Sequence, residues 1–280
     1  MLTQGEEQSM RLYLKPVFTT VLAILLLGSG PISAQVNTES LRKTIQETGL
    51  HFNLGGTLNM MDGNRNLLQT QVKTRLDLVQ NWGHLFLVSN YKMSRKDETV
   101  FVNQGFAHLR FIKPLTSITS LEVFSQLEFN EFIRLNQRAL LGAGVRLKHS
   151  RLVGENRSNT LSMVLGLGFM LERENIDIGS DETSGDPVHG ALAELLRSSN
   201  YLVVAYAPLE NVNIQSTTYY QVDTQRFQDY RLLSQSLVEV GLGKRLALTS
   251  ELNIRYDSEA PGGVKPRDLE YTQGITFKFR

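Results

Sequence analysis

The chain has 280 residues with 29 Lys and Arg against 28 Asp and Glu, a formal net charge of +1, so no bulk electrostatic pull toward nucleic acid is implied. Hydrophobic residues at 41% and charged residues at 20% exclude a disordered polyampholyte and fall short of a bundle of membrane helices. Cysteine is absent, which removes disulfides, thiolate metal sites, cysteine nucleophiles and lipoprotein processing together.

The N-terminus reads as a secretory signal peptide that starts at Met10. Arg11 and Lys15 form a basic n-region, residues 17–28 are a charge-free apolar stretch, and residues 28–34 (GSGPISA) break it before a small residue. Cleavage after Ala34 leaves Gln35 as the mature N-terminus. The apolar core is about a dozen residues, whereas an uncleaved anchor helix needs roughly 20. Residues 35–49 are expected to be a short periplasmic segment and 50–280 a single domain.

From Leu50 onward the pattern is alternation. Leu50, Phe52, Leu54, Leu58 and Met60 oppose His51, Asn53, Thr57 and Asn59, which gives one apolar and one polar face with period two. The same pattern returns in residues 121–130, where Leu121, Val123, Leu127 and Phe129 oppose Glu122, Gln126, Glu128 and Asn130. In residues 135–148, Leu135, Ala139, Leu141 and Val145 oppose Asn136, Arg138 and Arg146. In residues 246–257, Leu252, Ile254 and Tyr256 oppose Thr249, Glu251, Arg255 and Asp257. Twelve strands are predicted: 50–60, 66–79, 84–95, 99–112, 118–130, 134–149, 159–174, 197–209, 212–223, 230–242, 246–258 and 269–279.

Soluble strands average five or six residues, whereas a tilted membrane strand needs about nine to eleven, and nearly all of these exceed ten. The connections sort by parity. Those at 62–64, 96–98, 131–133, 175–196, 224–229 and 259–268 would be extracellular, and those near 81–83, 113–116, 150–158, 210–211 and 243–245 periplasmic. Long loops outside and mostly short turns inside is the habit of an outer-membrane barrel. The fold class is therefore all-β, a single antiparallel up-and-down transmembrane barrel of about 12 strands. Trp82, Tyr91, Tyr201, Tyr230 and Tyr271 lie near strand ends and suit interfacial girdles. Tyr271, Ile275, Phe277 and Phe279 line one face of the last strand, the kind of aromatic-ended strand that a barrel assembly machinery reads by strand addition.

Motifs for chemistry are sparse. His51, His84, His108, His149 and His189 show no metal-ligand spacing, and no G-x-S-x-G elbow is present. Gly142, Gly144, Gly166 and Gly168 lie inside strands, as bends or packing sites rather than phosphate loops. Residues 181–186 (DETSGD) lack calcium-loop spacing and read as a solvated outer loop. No catalytic residue, metal or cofactor is expected.

The polar faces do carry a constellation. Folding strands five and six about residues 131–133 sets Glu128 opposite Arg138 and Glu122 near Arg146. Folding strands four and five about Pro114 sets His108 beside Glu122 and Arg110 beside Ser120, and strand two adds Arg75 and Asp77. These eight residues form either a charged constriction that binds or passes small solutes or ions, or a salt-bridged plug that fills the lumen.

Residues 121–126 (LEVFSQ), 130–135 (NEFIRL) and 138–146 (RALLGAGVR) resemble a bacterial outer-membrane family of unknown function, often called salt-induced outer membrane proteins. The turn within 58–66 and the tail at 257–265 fit the same family. The resemblance implies a barrel in the outer membrane, in contact with its lipid, and assigns no activity. Three readings stay open: a non-enzymatic envelope barrel or narrow pore, an outer-membrane enzyme acting on lipid or peptide, and a soluble periplasmic carrier barrel.

Overall fold

The computed structural model describes residues 48–63, 66–152, 160–178, 190–243 and 245–277. The expected signal peptide, residues 35–47, the 181–186 loop, His189 and Phe279 lie outside the described residues.

Among the described residues twelve strands run in chain order: β1 (Gly49–Met61), β2 (Leu67–Gln80), β3 (Gly83–Lys96), β4 (Thr99–Pro114), β5 (Thr119–Asn130), β6 (Leu135–Leu152), β7 (Thr160–Ile176), β8 (Leu192–Leu209), β9 (Val212–Asp223), β10 (Tyr230–Gly241), β11 (Leu246–Asp257) and β12 (Arg267–Phe277). Each pairs antiparallel with the next, in one 12-stranded up-and-down sheet. The ladders of the described residues run from β1 to β12 and include no pairing of β1 with β12.

The sheet curls into a barrel, as contacts between distant strands require. Tyr201 on β8 hydrogen-bonds Glu122 on β5, and Arg231 on β10 hydrogen-bonds Glu172 and Glu174 on β7. Strands three apart are separated by roughly 14 Å along a flat sheet, beyond the reach of these side chains, so the bonds cross an enclosed interior.

The two faces differ as the alternation requires. Outward, Leu50, Leu58, Leu127, Leu141, Leu171 and Ile275 are 55–69% exposed. Inward, Asp77, Arg110, Arg197 and Arg231 are 0–3% exposed. The interior also holds apolar clusters, one of Phe86, Val88 and Ile112 with Phe106, another of Val164, Tyr201, Tyr219 and Leu233. Both faces of β3 and of the middle of β8 are apolar in sequence, so parity there is set by the neighbouring strands.

The turns explain where the register departs from expectation. Between β4 and β5 the amides of Leu115 and Thr116 donate to the Thr119 carbonyl, and the Thr116 hydroxyl accepts from the amides of Ile118 and Thr119. Pro114 is thus the last ladder residue, opposite Ser120, rather than the turn itself. His108 consequently faces Gln126, and Arg110 faces Phe124, instead of Glu122 and Ser120. Between β5 and β6, the Asn130 side chain caps one 3-10 turn over Glu131–Ile133 by accepting from the Phe132 amide. Arg134 then adopts φ 60 and reverses the chain.

The bulge that follows, between Leu135 and Gln137, turns Leu135 inward against Ile133 and Ile176 and leaves Asn136 exposed, the reverse of the predicted faces. Strand β8 begins at Leu192 rather than 197. Ala193 and Arg197 face in, while Leu192, Glu194 and Leu196 face out, and Glu194 pairs with exposed Arg173 at 3.6 Å. The run ALAELL combines strong helix formers, which masks that alternation. Tyr201 is not a girdle residue: it is 4% exposed and lumenal. On the outward face Tyr230 does stack on Tyr256 and meets Tyr220 at a tilt of 41°.

Candidate functional site

All eight charged and histidine residues singled out in the sequence, Arg75, Asp77, His108, Arg110, Glu122, Glu128, Arg138 and Arg146, are buried on inward faces. They fall into two groups. On β2, Arg75 Nη2 and Asp77 Oδ1 are 2.6 Å apart, and His84 Nε2 lies 2.9 Å from the same oxygen. Residues i and i+2 share a face of a strand, which brings this pair together within one element. The Arg75 guanidinium also sits over the Phe86 ring at 5.2 Å.

The other six form one connected network. Arg146 donates to the Tyr201 hydroxyl at 3.0 Å, and that hydroxyl donates to Glu122 at 3.0 Å. Arg110 donates to the same Glu122 oxygen at 3.3 Å and, from Nε, to His108 Nε2 at 3.2 Å. With Nε2 accepting, the ring carries its proton on Nδ1, which donates to Gln126 Oε1 at 2.9 Å. Gln126 in turn donates to Glu128 at 2.6 Å. Arg138 then joins Glu128 at 2.6 Å to Glu174 at 3.0 Å. The expected proximity of Glu122 and Arg146 is thus mediated by a tyrosine.

Beyond Glu174 the network continues through residues not singled out in the sequence. Arg231 donates to Glu174, Glu172 and Asp257 at 2.7–2.9 Å. Arg197, fully buried, grips Asp229 with two bonds of 2.8 Å and has Nε 3.3 Å from Glu172. Arg255 links Asp257 to Asp268 on β12. A signal existed in the sequence: Glu172 and Glu174, Asp229 and Arg231, and Arg255 and Asp257 are each spaced by two, placing every pair on one face.

Removing a charge from water costs several kcal/mol, so each of these groups needs a partner of opposite sign with good geometry. The network supplies one repeatedly, with guanidinium groups bridging carboxylates on different strands. Aromatic rings lie flat against the wall beside it where glycine leaves room. A Cβ on Gly142 would come within 2.3 Å of the Phe124 ring, and one on Gly166 within 2.0 Å of the Tyr201 ring. The free volume left among His108, Arg110, Glu122, Glu128, Arg138 and Tyr201 is about 30 Å³. That is room for a water or two.

The outward face of β12 carries Tyr271 and Ile275, 40% and 69% exposed, and Phe277 is its last residue. Among the described residues, no three His, Asp or Glu side chains are grouped so that they could hold a metal ion.

Comparison with curated proteins finds no match. Among solved structures, the chain resembles one titled "NanC porin structure in rhombohedral crystal form", with a TM-score of 0.44 and 8% identity, over 82% of this chain and 100% of that one. Residues 52–279, nearly the whole barrel, match the family described as "Protein of unknown function, DUF481", and the chain belongs to that family.

Proposed function

We propose that this protein is a non-enzymatic integral barrel of the bacterial outer membrane, with a constricted, ion-paired lumen that passes only very small solutes or ions. The observation that carries this reading is the inverted polarity of the barrel. Leucines and isoleucine lie on the outer face at 55–69% exposure, and arginines and carboxylates lie inside at 0–7%. A carrier barrel in water would arrange these residues the other way round, whereas a bilayer rewards this arrangement along the whole height of the strands. The signal peptide ending at Ala34 and the resemblance to salt-induced outer membrane proteins support the outer membrane as its location. The aromatic-rich C-terminal sequence with Tyr271, Ile275, Phe277 and Phe279 supports delivery by the barrel assembly machinery.

The small free volume among the network residues favours a constriction over a wide pore. Fractionation of the envelope, followed by single-channel recording from purified, refolded protein in a planar bilayer, tests this reading. Recovery with the outer membrane and a small conductance are expected. Recovery in the soluble periplasmic fraction would contradict it, and turnover of phospholipid or peptide would replace it with an enzyme.

A further inference from the structure

The loop between β11 and β12, residues 258–266, does not extend away from the barrel. Its base is pinned: the Asp257 amide donates to the Pro266 carbonyl at 2.8 Å, and the Tyr230 amide donates to the Ser258 hydroxyl at 2.8 Å. Its tip is a tight turn in which the Val264 amide donates to the Pro261 carbonyl at 2.9 Å and Gly263 takes φ +80, a conformation L side chains rarely adopt. That tip docks far from its own strands. Arg134, between β5 and β6, donates to the Gly262 carbonyl at 2.5 Å, and Val264 packs on Ile133, Leu135 and Ile176.

Ile176 ends β7, five strands before β12, roughly 24 Å along the sheet. The loop reaches it by crossing the mouth of the barrel. Beneath the crossing lies the ion network, and the two are joined, because the Asp257 carboxylate accepts both from Arg231 and from the Glu259 amide.

We propose that residues 258–266 are a latched lid over the lumen, hinged at Asp257 and Pro266 and held shut by Arg134, by the Val264 contact and by the ion pair of Glu259 with Arg226 in the connection before β10. Opening exposes the ion network to solutes arriving from that end. The lid rests on the reading of the barrel as enclosing an aqueous lumen, and the two fail separately. One guanidinium hydrogen bond, one partly buried aliphatic side chain and one partly exposed ion pair form a latch weak enough to open without unfolding the barrel.

The chain contains no cysteine, so Ala193→Cys, inward beside Glu174 at the lid end of the barrel, gives a single reporter for a hydrophilic maleimide. In the full mature protein, Arg134→Ala and Val264→Asp should each speed labelling at this position by about tenfold or more, the change in an opening equilibrium from losing one such contact. Labelling of Asn81→Cys, in the exposed turn between β2 and β3 at the other end of the barrel, should not change. An unchanged rate at position 193 in both latch variants overturns the lid. Hydrogen exchange in the unaltered protein gives a second test without relying on the variants folding. The Val264 amide should exchange well before the amides of β5 to β8, and exchange of both at the same rate also overturns the lid. Faster labelling without conductance in either latch variant would keep the lid and reject the pore.

Discussion

Glu128 and Arg138 stand directly opposite each other on β5 and β6, with Oε1 and Nη1 2.6 Å apart and both side chains buried. The same guanidinium reaches Glu174 on β7 at 3.0 Å, so one arginine ties three neighbouring strands together inside the barrel.

Glu128→Arg places a second cation against Arg138 and should destabilise the barrel by about 3–5 kcal/mol, the cost of an uncompensated buried charge. Adding Arg138→Glu should restore only part of that loss, because the new carboxylate then faces Glu174. Denaturant unfolding of the four proteins should yield a coupling of about 1–3 kcal/mol. A coupling near zero, with both single variants stable, would mean that these groups are separately solvated.

Arginine at an outward position should be costly and at an open inward position tolerated. Leu141→Arg or Leu252→Arg should cost about 2–4 kcal/mol in a bilayer. Thr57→Arg, on the inward and exposed side of β1, should leave the heat-modifiable form intact. Equal damage from both substitutions would show that inside and outside are misassigned.

Tyr201→Phe removes the hydroxyl that joins Arg146 to Glu122 and should cost about 1–3 kcal/mol, since both charged partners stay buried. Gly166→Ala should cost a similar amount, about 1–3 kcal/mol, by pushing the Tyr201 ring off the wall. If the ring position is what matters, the two changes combined should cost less than their sum, as read from paired unfolding midpoints.

N-terminal sequencing of protein purified from the envelope should begin at Gln35. An intact stretch upstream of it would replace the cleaved signal with an anchor.

The fold was legible because alternation in β1, β5, β6 and β11 is nearly uninterrupted, over strands longer than the five or six residues usual in a soluble sheet. The inward orientation of Glu122, Glu128, Arg138 and Arg146 was legible for the same reason. The partners of His108 were not, because they depend on a turn in which Thr116 rather than Pro114 makes the reversal. Nor was Tyr201, whose strand is apolar on both faces. Its bond to Glu122 depends on how tightly the sheet curls, a property of the whole barrel rather than of any one segment.

If the barrel spans the outer membrane, its leucine-rich faces meet lipid while paired charges fill the interior. Single cysteines at Leu141, Leu252 and Thr217, labelled with bimane in reconstituted vesicles, test it through quenching by acyl chains brominated near the bilayer centre. Strong quenching is expected at Leu141 and Leu252 and none at Thr217, which lies inward at 1% exposure. Quenching of Leu141 and Leu252 by aqueous iodide, with no effect of brominated lipid, would contradict it.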